Sequence, residues 1–233
     1  MSILVVENFA DSDLGALAPL IGEAGAAADI RRMHLGASLP GDCAAHDRLI
    51  VLGGGQNALD DAAGPWFPAL TALVRDFHAA RKPVLGICLG SQLLARAFGG
   101  GNVLGRPLEF GYLPVAPTAD AASDPVFRSL TAPAPSFHWH NDTVTLPKGA
   151  THLASSEMTP VQAWRMGAAT YAVQFHFEAD AAHVRHWARA YRAYIGEHIP
   201  DWPARMEAEI ARAAPAADAF GAELARRWLA LPG

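Results

Sequence analysis

The sequence predicts an α/β fold built on a doubly wound, mostly parallel sheet, and three observations predict it. Short apolar runs alternate with helix-length segments through roughly the first hundred residues, as expected where parallel strands are joined by helical crossovers. The run Ile3 to Val6 is unbroken rather than alternating, the pattern of a parallel strand buried on both faces. After Gly99-Gly100-Gly101 the spacing changes to short strands separated by Gly, Pro or Asp, which predicts an antiparallel addition to the same sheet.

Taken in order, Ile3 to Val6 is the first strand. Asp11 or Ser12 is the expected cap of a helix reaching Ala24, with Gly25 at its end. Ile30 to Leu35 and Arg48 to Leu52 are the next strands, the latter stopping at Gly53-Gly54-Gly55. Pro65 opens a helix to Arg81, Pro83 to Ile87 is a strand, and a helix follows from Leu89. Phe110 to Ala116, Ser136 to Trp139, Val144 to Leu146, His152 to Ser155, Gln162 to Arg165 and Tyr171 to Phe175 are the short strands of the second half. From Ala179 the chain reads as helix, broken at Pro200, Pro203 and Pro215. Residues 1–195 are expected to form one domain. Residues 196–233 would be a helical extension packed on it, since apolar helix faces are normally buried.

Of 233 residues, 51% are apolar, enough for a sizeable core, and the formal net charge of -5 argues against a nucleic-acid surface. No uncharged apolar stretch reaches the roughly 20 residues that span a bilayer. The N-terminus has neither the basic start nor the small-residue cleavage site of a signal peptide. Two cysteines, Cys43 and Cys88, make no disulfide framework. The expectation is a reduced cytoplasmic protein that binds neither nucleic acid nor membrane.

The sharpest local signal is Leu85-Gly86-Ile87-Cys88-Leu89-Gly90-Ser91-Gln92. A buried strand runs into a reactive side chain with glycine at both second neighbours, and a helix begins at once. This is the arrangement of a nucleophile elbow, where the tight turn leaves no room for neighbouring Cβ atoms. The helix N-terminus favours the thiolate. Gln92 lies one helical turn beyond Cys88, placed to face the same pocket. The second signal is Gln174-Phe175-His176-Phe177-Glu178 at the end of a predicted strand. Strand alternation would turn His176 and Glu178 to one face, so that one ring nitrogen meets a thiol while the carboxylate holds the other.

In these two motifs the chain resembles the class I glutamine amidotransferase superfamily, in particular stand-alone proteins similar to the amidotransferase domain of GMP synthase. Gly53-Gly54, Glu109-Phe110-Gly111 and Phe137-His138-Trp139-His140-Asn141-Asp142 extend the likeness over residues 3 to 190 in the family's order. The resemblance implies a flavodoxin-like sheet and a cysteine hydrolase acting on the side-chain amide of glutamine or another γ-glutamyl compound. In it Cys88 is the nucleophile, His176 the base and Glu178 the histidine's partner. The oxyanion hole would be the backbone N–H groups of Gly54 and Leu89. Gln92 would touch the glutamyl group, and His140, Asn141 and Asp142 would hold its α-amino and α-carboxylate ends. A thioester would form and be hydrolysed by water, with no cofactor and no metal.

The sequence departs from the family's common pattern at Phe177, where many relatives have proline, and at Asn141, where many have glycine. No synthetase segment accompanies the chain, so four readings stand open: a free-standing hydrolase, a subunit supplying ammonia to a separate synthetase partner, a non-catalytic regulatory homologue, and a cysteine peptidase of the wider elbow-bearing α/β superfamily, against which Glu178 at this spacing counts. The oligomeric state is left open as well. Other residues read plainly. Glu7 is a solvated strand-end carboxylate, and Cys43 lies in a polar loop. His138 and His140 lack a third metal ligand, and His183 and His186 lack a carboxylate to join them. His34, Trp187, Tyr191 and Tyr194 read as core or helix-face residues. Gly53-Gly54-Gly55 has no lysine at phosphate-loop spacing.

Overall fold

Alternation along the buried strands decides the layers. In β1 (Ser2–Glu7), Ile3 and Val5 face one side of the sheet while Leu4 and Val6 face the other, and all four are fully buried. The computed structural model describes residues 1–233. The elements after β1 are α1 (Leu17–Glu23), β2 (Ala27–Arg32), β3 (Arg48–Val51), α2 (Phe67–Ala79), β4 (Val84–Ile87) and α3 (Leu89–Ala97). Then come β5 (Asn102–Val103), β6 (Glu109–Pro117), β7 (Ala134–His140), β8 (Thr143–Val144), β9 (Thr151–Ser155), β10 (Ala163–Met166) and β11 (Thr170–Val173). The chain ends in α4 (Ala181–Ala190), α5 (Arg192–His198) and α6 (Trp202–Leu229).

Nine strands form one sheet in the order β2-β1-β3-β4-β11-β10-β9-β6-β7. The first five are mutually parallel and the rest antiparallel, as the change of pattern along the sequence predicts. Helices α2 and α3 cover one face through Phe67, Leu70, Phe77 and Leu93. On the other face α1 is joined by the end of α6, whose Leu224 and Trp228 pack beside Leu17, Leu20 and Ile21. The first half of α6 lies on β6 and β7, where Trp202 and Ile210 bury against Phe110 and Phe137. Strands β4 and β11 are parallel neighbours with Ile87 opposite Val173, so the segments that follow them emerge side by side.

Several sequence expectations need correction. Helix α1 starts at Leu17, because Gly15 at φ 48° makes a separate turn held by the Asp13 carboxylate; neither Asp11 nor Ser12 caps it. The second strand is Ala27–Arg32, and Met33–Leu35 is a 3-10 turn. Val144 belongs to a two-residue strand paired with β5, outside the main sheet. Of the three prolines only Pro200 falls at a helix break, and a second break, at Tyr191 between α4 and α5, involves no proline. Pro203 sits in the first turn of α6, where its missing N–H is harmless, and α6 continues through Pro215. An internal proline costs about 3 kcal/mol, and burial of Ile210, Ala213, Ala214 and Ala217 on either side opposes that cost.

Candidate active site

Cys88 leaves β4 with φ 53° and ψ −109°, a conformation that a non-glycine residue holds only at a cost of about 1–3 kcal/mol. Backbone contacts explain the flanking glycines. A Cβ on Gly90 would stand 2.0 Å from the Val51 carbonyl oxygen, and one on Gly86 2.7 Å from that of Gly90. The Cys88 N–H donates to Val173 O at 2.9 Å, tying the elbow to β11. Helix α3 then starts at Leu89, directing its free N-terminal amides and positive dipole end toward the sulfur.

His176 stands on the segment that leaves β11. That strand ends at Val173, so His176-Phe177-Glu178 is a turn, and strand alternation is not what brings the pair together. The turn is pinned by an antiparallel bridge in which His176 N–H donates to Phe137 O at 2.8 Å. Within it, Nδ1 of His176 lies 2.6 Å from Oε1 of Glu178, and both side chains are buried. A proton on Nδ1 directed at the carboxylate leaves Nε2 for the other side. Burial depresses the basicity of His176, but the carboxylate of Glu178 and the neighbouring Cys88 sulfur outweigh it and hold the ring well above the ordinary histidine range. A Cβ on Gly53 would lie 3.3 Å from Cε1 of His176 and 3.5 Å from Cβ of Cys88, which places the three residues around one point. Trp187 packs edge-on against the His176 ring with centroids 5.1 Å apart.

Next to Cys88 the Gly53-Gly54-Gly55 turn closes the pocket. The Gly54 N–H has no backbone acceptor, and a Cβ there would meet Oε1 of Gln56 at 2.4 Å and Cδ2 of Leu89 at 2.8 Å. The amides of Gly54 and Leu89 thus lie on adjoining segments beside the sulfur. The cavity that includes Cys88 and His176 has a volume of about 510 Å³.

Gln92, His140, Asn141 and Asp142 all border this cavity. Gln92 is buried, with Nε2 donating to Oε1 of Gln174 at 3.4 Å. Asn141 is exposed and its carbonyl accepts the Arg106 N–H at 2.7 Å, while one carboxylate oxygen of Asp142 accepts the Gly105 N–H at 2.8 Å. The His140 ring is engaged on both sides: Nδ1 lies 3.1 Å from Asp142 O, and Nε2 lies 3.1 Å from Oε2 of Glu109. Cys43 lies apart, its sulfur 3.8 Å from Asp76 O.

The sequence readings of the His138–His140 pair, the His183–His186 pair and Glu7 need correction. Glu109, opposite His140 in the β6–β7 register, supplies a third group beside His138 and His140; donor atoms of the three lie within 4.8 Å of one another and all are buried. This is the one set of side chains that could hold a metal. Glu109 is already engaged by His140, Ser156 and Gln162, whereas neither ring nitrogen of His138 finds a partner. Burial pushes His138 down to about 3, so its ring is neutral. His183 and His186 do have carboxylates: His183 Nε2 is 2.8 Å from Asp13 and His186 Nε2 is 2.9 Å from Asp11. They clamp α4 to the loop after β1. Glu7 is buried, not solvated, and pairs with Arg32 at 2.9 Å. Trp187 is a core residue, as the sequence reads it, and together with Tyr191 and Tyr194 it also lines the cavity.

Sequence reasoning missed two glycines near His176 and Glu178. A Cβ on Gly15 would lie 2.2 Å from the Glu178 carbonyl oxygen, and one on Gly221 would lie 2.5 Å from that of Phe177. Neither sits in a motif, and the sequence around each carries no signal of the contact.

No helix is long and apolar enough to cross a membrane. The family model for class-I glutamine amidotransferase matches residues 6–186. The glutamine amidotransferase-like protein YfeJ of Salmonella typhimurium is 34% identical over 150 residues, 63% of this chain and 63% of that protein. A glutamine-hydrolyzing GMP synthase subunit of Thermococcus kodakarensis is 35% identical over 126 residues, 53% of this chain and 64% of that one. The chain therefore spans somewhat less than two thirds of the length of either relative. Among solved structures, a glutamine amidotransferase from Thermotoga maritima superimposes with a TM-score of 0.88 at 25% identity over 99% of both chains. Another, from Methylobacillus flagellatus, gives 0.84 at 26% identity, covering 97% of this chain and 93% of that one. By the extent of the family match, together with an elbow cysteine beside a histidine–glutamate pair, this chain belongs to the class I glutamine amidotransferase family.

Proposed function

We propose that the protein is a cysteine hydrolase that cleaves the side-chain amide of glutamine or a related γ-glutamyl compound. Cys88 acts as nucleophile, His176 as base and Glu178 as the group that orients the ring. The observation that carries this reading is the buried imidazole gripped at Nδ1 by Glu178, with the elbow cysteine meeting the same ring around Gly53. The thiolate attacks the γ-carbonyl carbon, the C–N bond breaks, and the proton held on His176 passes to the departing nitrogen. Water then gives a proton to His176 and its oxygen to the thioester carbon, releasing glutamate and restoring the thiolate beside a protonated His176. The N–H groups of Gly54 and Leu89 are the oxyanion donors, and one such donor contributes about 3 kcal/mol in the transition state. Gln92 and the His140-Asn141-Asp142 turn, all on the cavity, hold the glutamyl end.

A second reading, in which the chain supplies ammonia to a separate synthetase, is favoured by relatives named as glutamine-hydrolyzing subunits of GMP synthase. The purified chain is incubated with glutamine and with an electrophilic glutamine analogue. Ammonia release with covalent labelling of Cys88 supports the hydrolase. Labelling with release only once a synthetase is added supports the ammonia-supplying role. No labelling at Cys88 and no release under either condition overturns both.

A further inference from the structure

The cavity lining is of two kinds: the polar Gln92 and turn 140–142, and an apolar set formed chiefly by Trp139, Trp187, Tyr191 and Tyr194, with Leu104 also on the lining. The aromatic residues contact one another edge-on or tilted: Trp139 lies 5.7 Å from Trp187, 5.2 Å from Tyr191 and 6.1 Å from Tyr194, centroid to centroid. Two of the four have their polar ends engaged elsewhere. The Trp187 indole N–H donates to Asp11 O at 2.9 Å and the Tyr191 hydroxyl to the Asp11 carboxylate at 2.7 Å, so both residues offer hydrocarbon to the cavity.

Position gives this wall its meaning. Trp187 packs against the imidazole of His176, and under the mechanism above that ring protonates the departing nitrogen. Whatever is attached to that nitrogen must lie beside Trp187. Ammonia carries nothing to bury there. Tyr194 and Leu104 remain 38% and 44% exposed, apolar surface left to water on the lining of a cavity. Trp187, Tyr191 and Tyr194 lie beyond residue 186, where the match to the family model ends, so most of the wall comes from α4 and α5.

We infer that the preferred substrate is a γ-glutamyl amide of an amine bearing an aromatic or bulky apolar group, seated between Trp187, Tyr191, Tyr194 and Leu104. This rests on the hydrolase reading. The same bonds break and form, the amine replacing ammonia as the group that takes the proton from His176.

The test compares L-glutamine with γ-L-glutamyl-benzylamide on the purified chain. Benzylamine and ammonia are bases of nearly equal strength, so any preference reports binding of the ring and not leaving-group chemistry. Burying one phenyl group predicts a kcat/KM at least about tenfold higher for the benzylamide. In Tyr194→Ala and Leu104→Ala, both at exposed positions that leave folding intact, the benzylamide-to-glutamine ratio is expected to fall about threefold or more. Glutamine hydrolysis with the benzylamide no better overturns this inference and leaves the hydrolase standing. A preference unaffected by both substitutions overturns the assigned wall. Absence of turnover with either amide, and of labelling at Cys88, overturns the hydrolase and this inference with it.

Discussion

Gly221, in the C-terminal third of α6, rests directly on the carbonyl of Phe177, the residue between His176 and Glu178. A Cβ at Gly221 would stand 2.5 Å from that oxygen and 3.3 Å from Cβ of Phe177. The last helix therefore buttresses the turn that carries the histidine–glutamate pair, although it lies about 40 residues beyond it in sequence and outside the matched family segment.

Gly221→Ala is expected to destabilise the protein by about 1–3 kcal/mol, because a backbone carbonyl yields less than a side chain end. Helix propensity alone would push the other way by about 1 kcal/mol. Gly196→Ala, in α5 with nothing within 4 Å of its Cβ, serves as the control and should be neutral or slightly stabilising. Urea unfolding of both variants checks the sign, and amide hydrolysis should fall only in the first.

Gly15→Ala acts on the same turn at the next carbonyl, that of Glu178. Its backbone is left-handed at φ 48°, and the added Cβ would overlap the Glu178 carbonyl at 2.2 Å, next to the point where Ala16 N–H holds that same oxygen. The left-handed conformation costs about 1–2 kcal/mol for alanine, and the overlap adds to it. Gly25→Ala shares the conformation, at φ 65°, but has open space. Thermal unfolding should show the larger loss for Gly15→Ala, and its amide hydrolysis should drop while that of Gly25→Ala does not.

The parallel half of the sheet and the elbow were legible because each rests on local chemistry: short apolar runs, and glycines that no other residue can replace beside Val51. The pairing of His176 with Glu178 was expected for a reason the structure corrects. The strand ends three residues before His176, and a turn, not side-chain alternation, joins the two. The rest was not legible because it depends on contacts distant in sequence. Glu109 joins His138 and His140 only through the β6–β7 register, Asp11 meets Trp187 and Tyr191 only once α4 docks, and α6 runs through Pro215 because its buried alanines pack on the sheet.

Glu109 predicts an acid-side dependence. Burial opposes its ionisation, but hydrogen bonding from His140, Ser156 and Thr159 prevails and holds the carboxyl down to about 2. A group whose folded pKa lies below its ordinary value of 4.5 contributes stability above that pH and loses it as pH falls from 4.5 toward 2. Glu109→Gln should therefore be less stable than the natural protein near neutral pH, with the difference shrinking through that window. Urea midpoints across the range measure it; a constant difference would show that the ionised carboxylate contributes nothing of its own.

Glu178→Gln separates orientation of the ring from the chemistry of the sulfur. Loss of the carboxylate removes a main influence that raises His176, so the ring should give up its proton at a less alkaline pH. In the folded natural protein the raised group contributes stability below its ordinary value of 6.5, and that contribution is lost as pH rises through the folded value. The variant should accordingly lose stability on the acid and neutral side and differ least at alkaline pH. Amide hydrolysis should fall by about 10²–10⁴-fold, against about 10⁶-fold for Cys88→Ala, with the alkaline limb of the rate profile displaced downward. Unfolding midpoints and kcat/KM over pH read both effects in the same preparations. Equal losses in the two variants would mean that Glu178 takes part in the reaction beyond holding the imidazole.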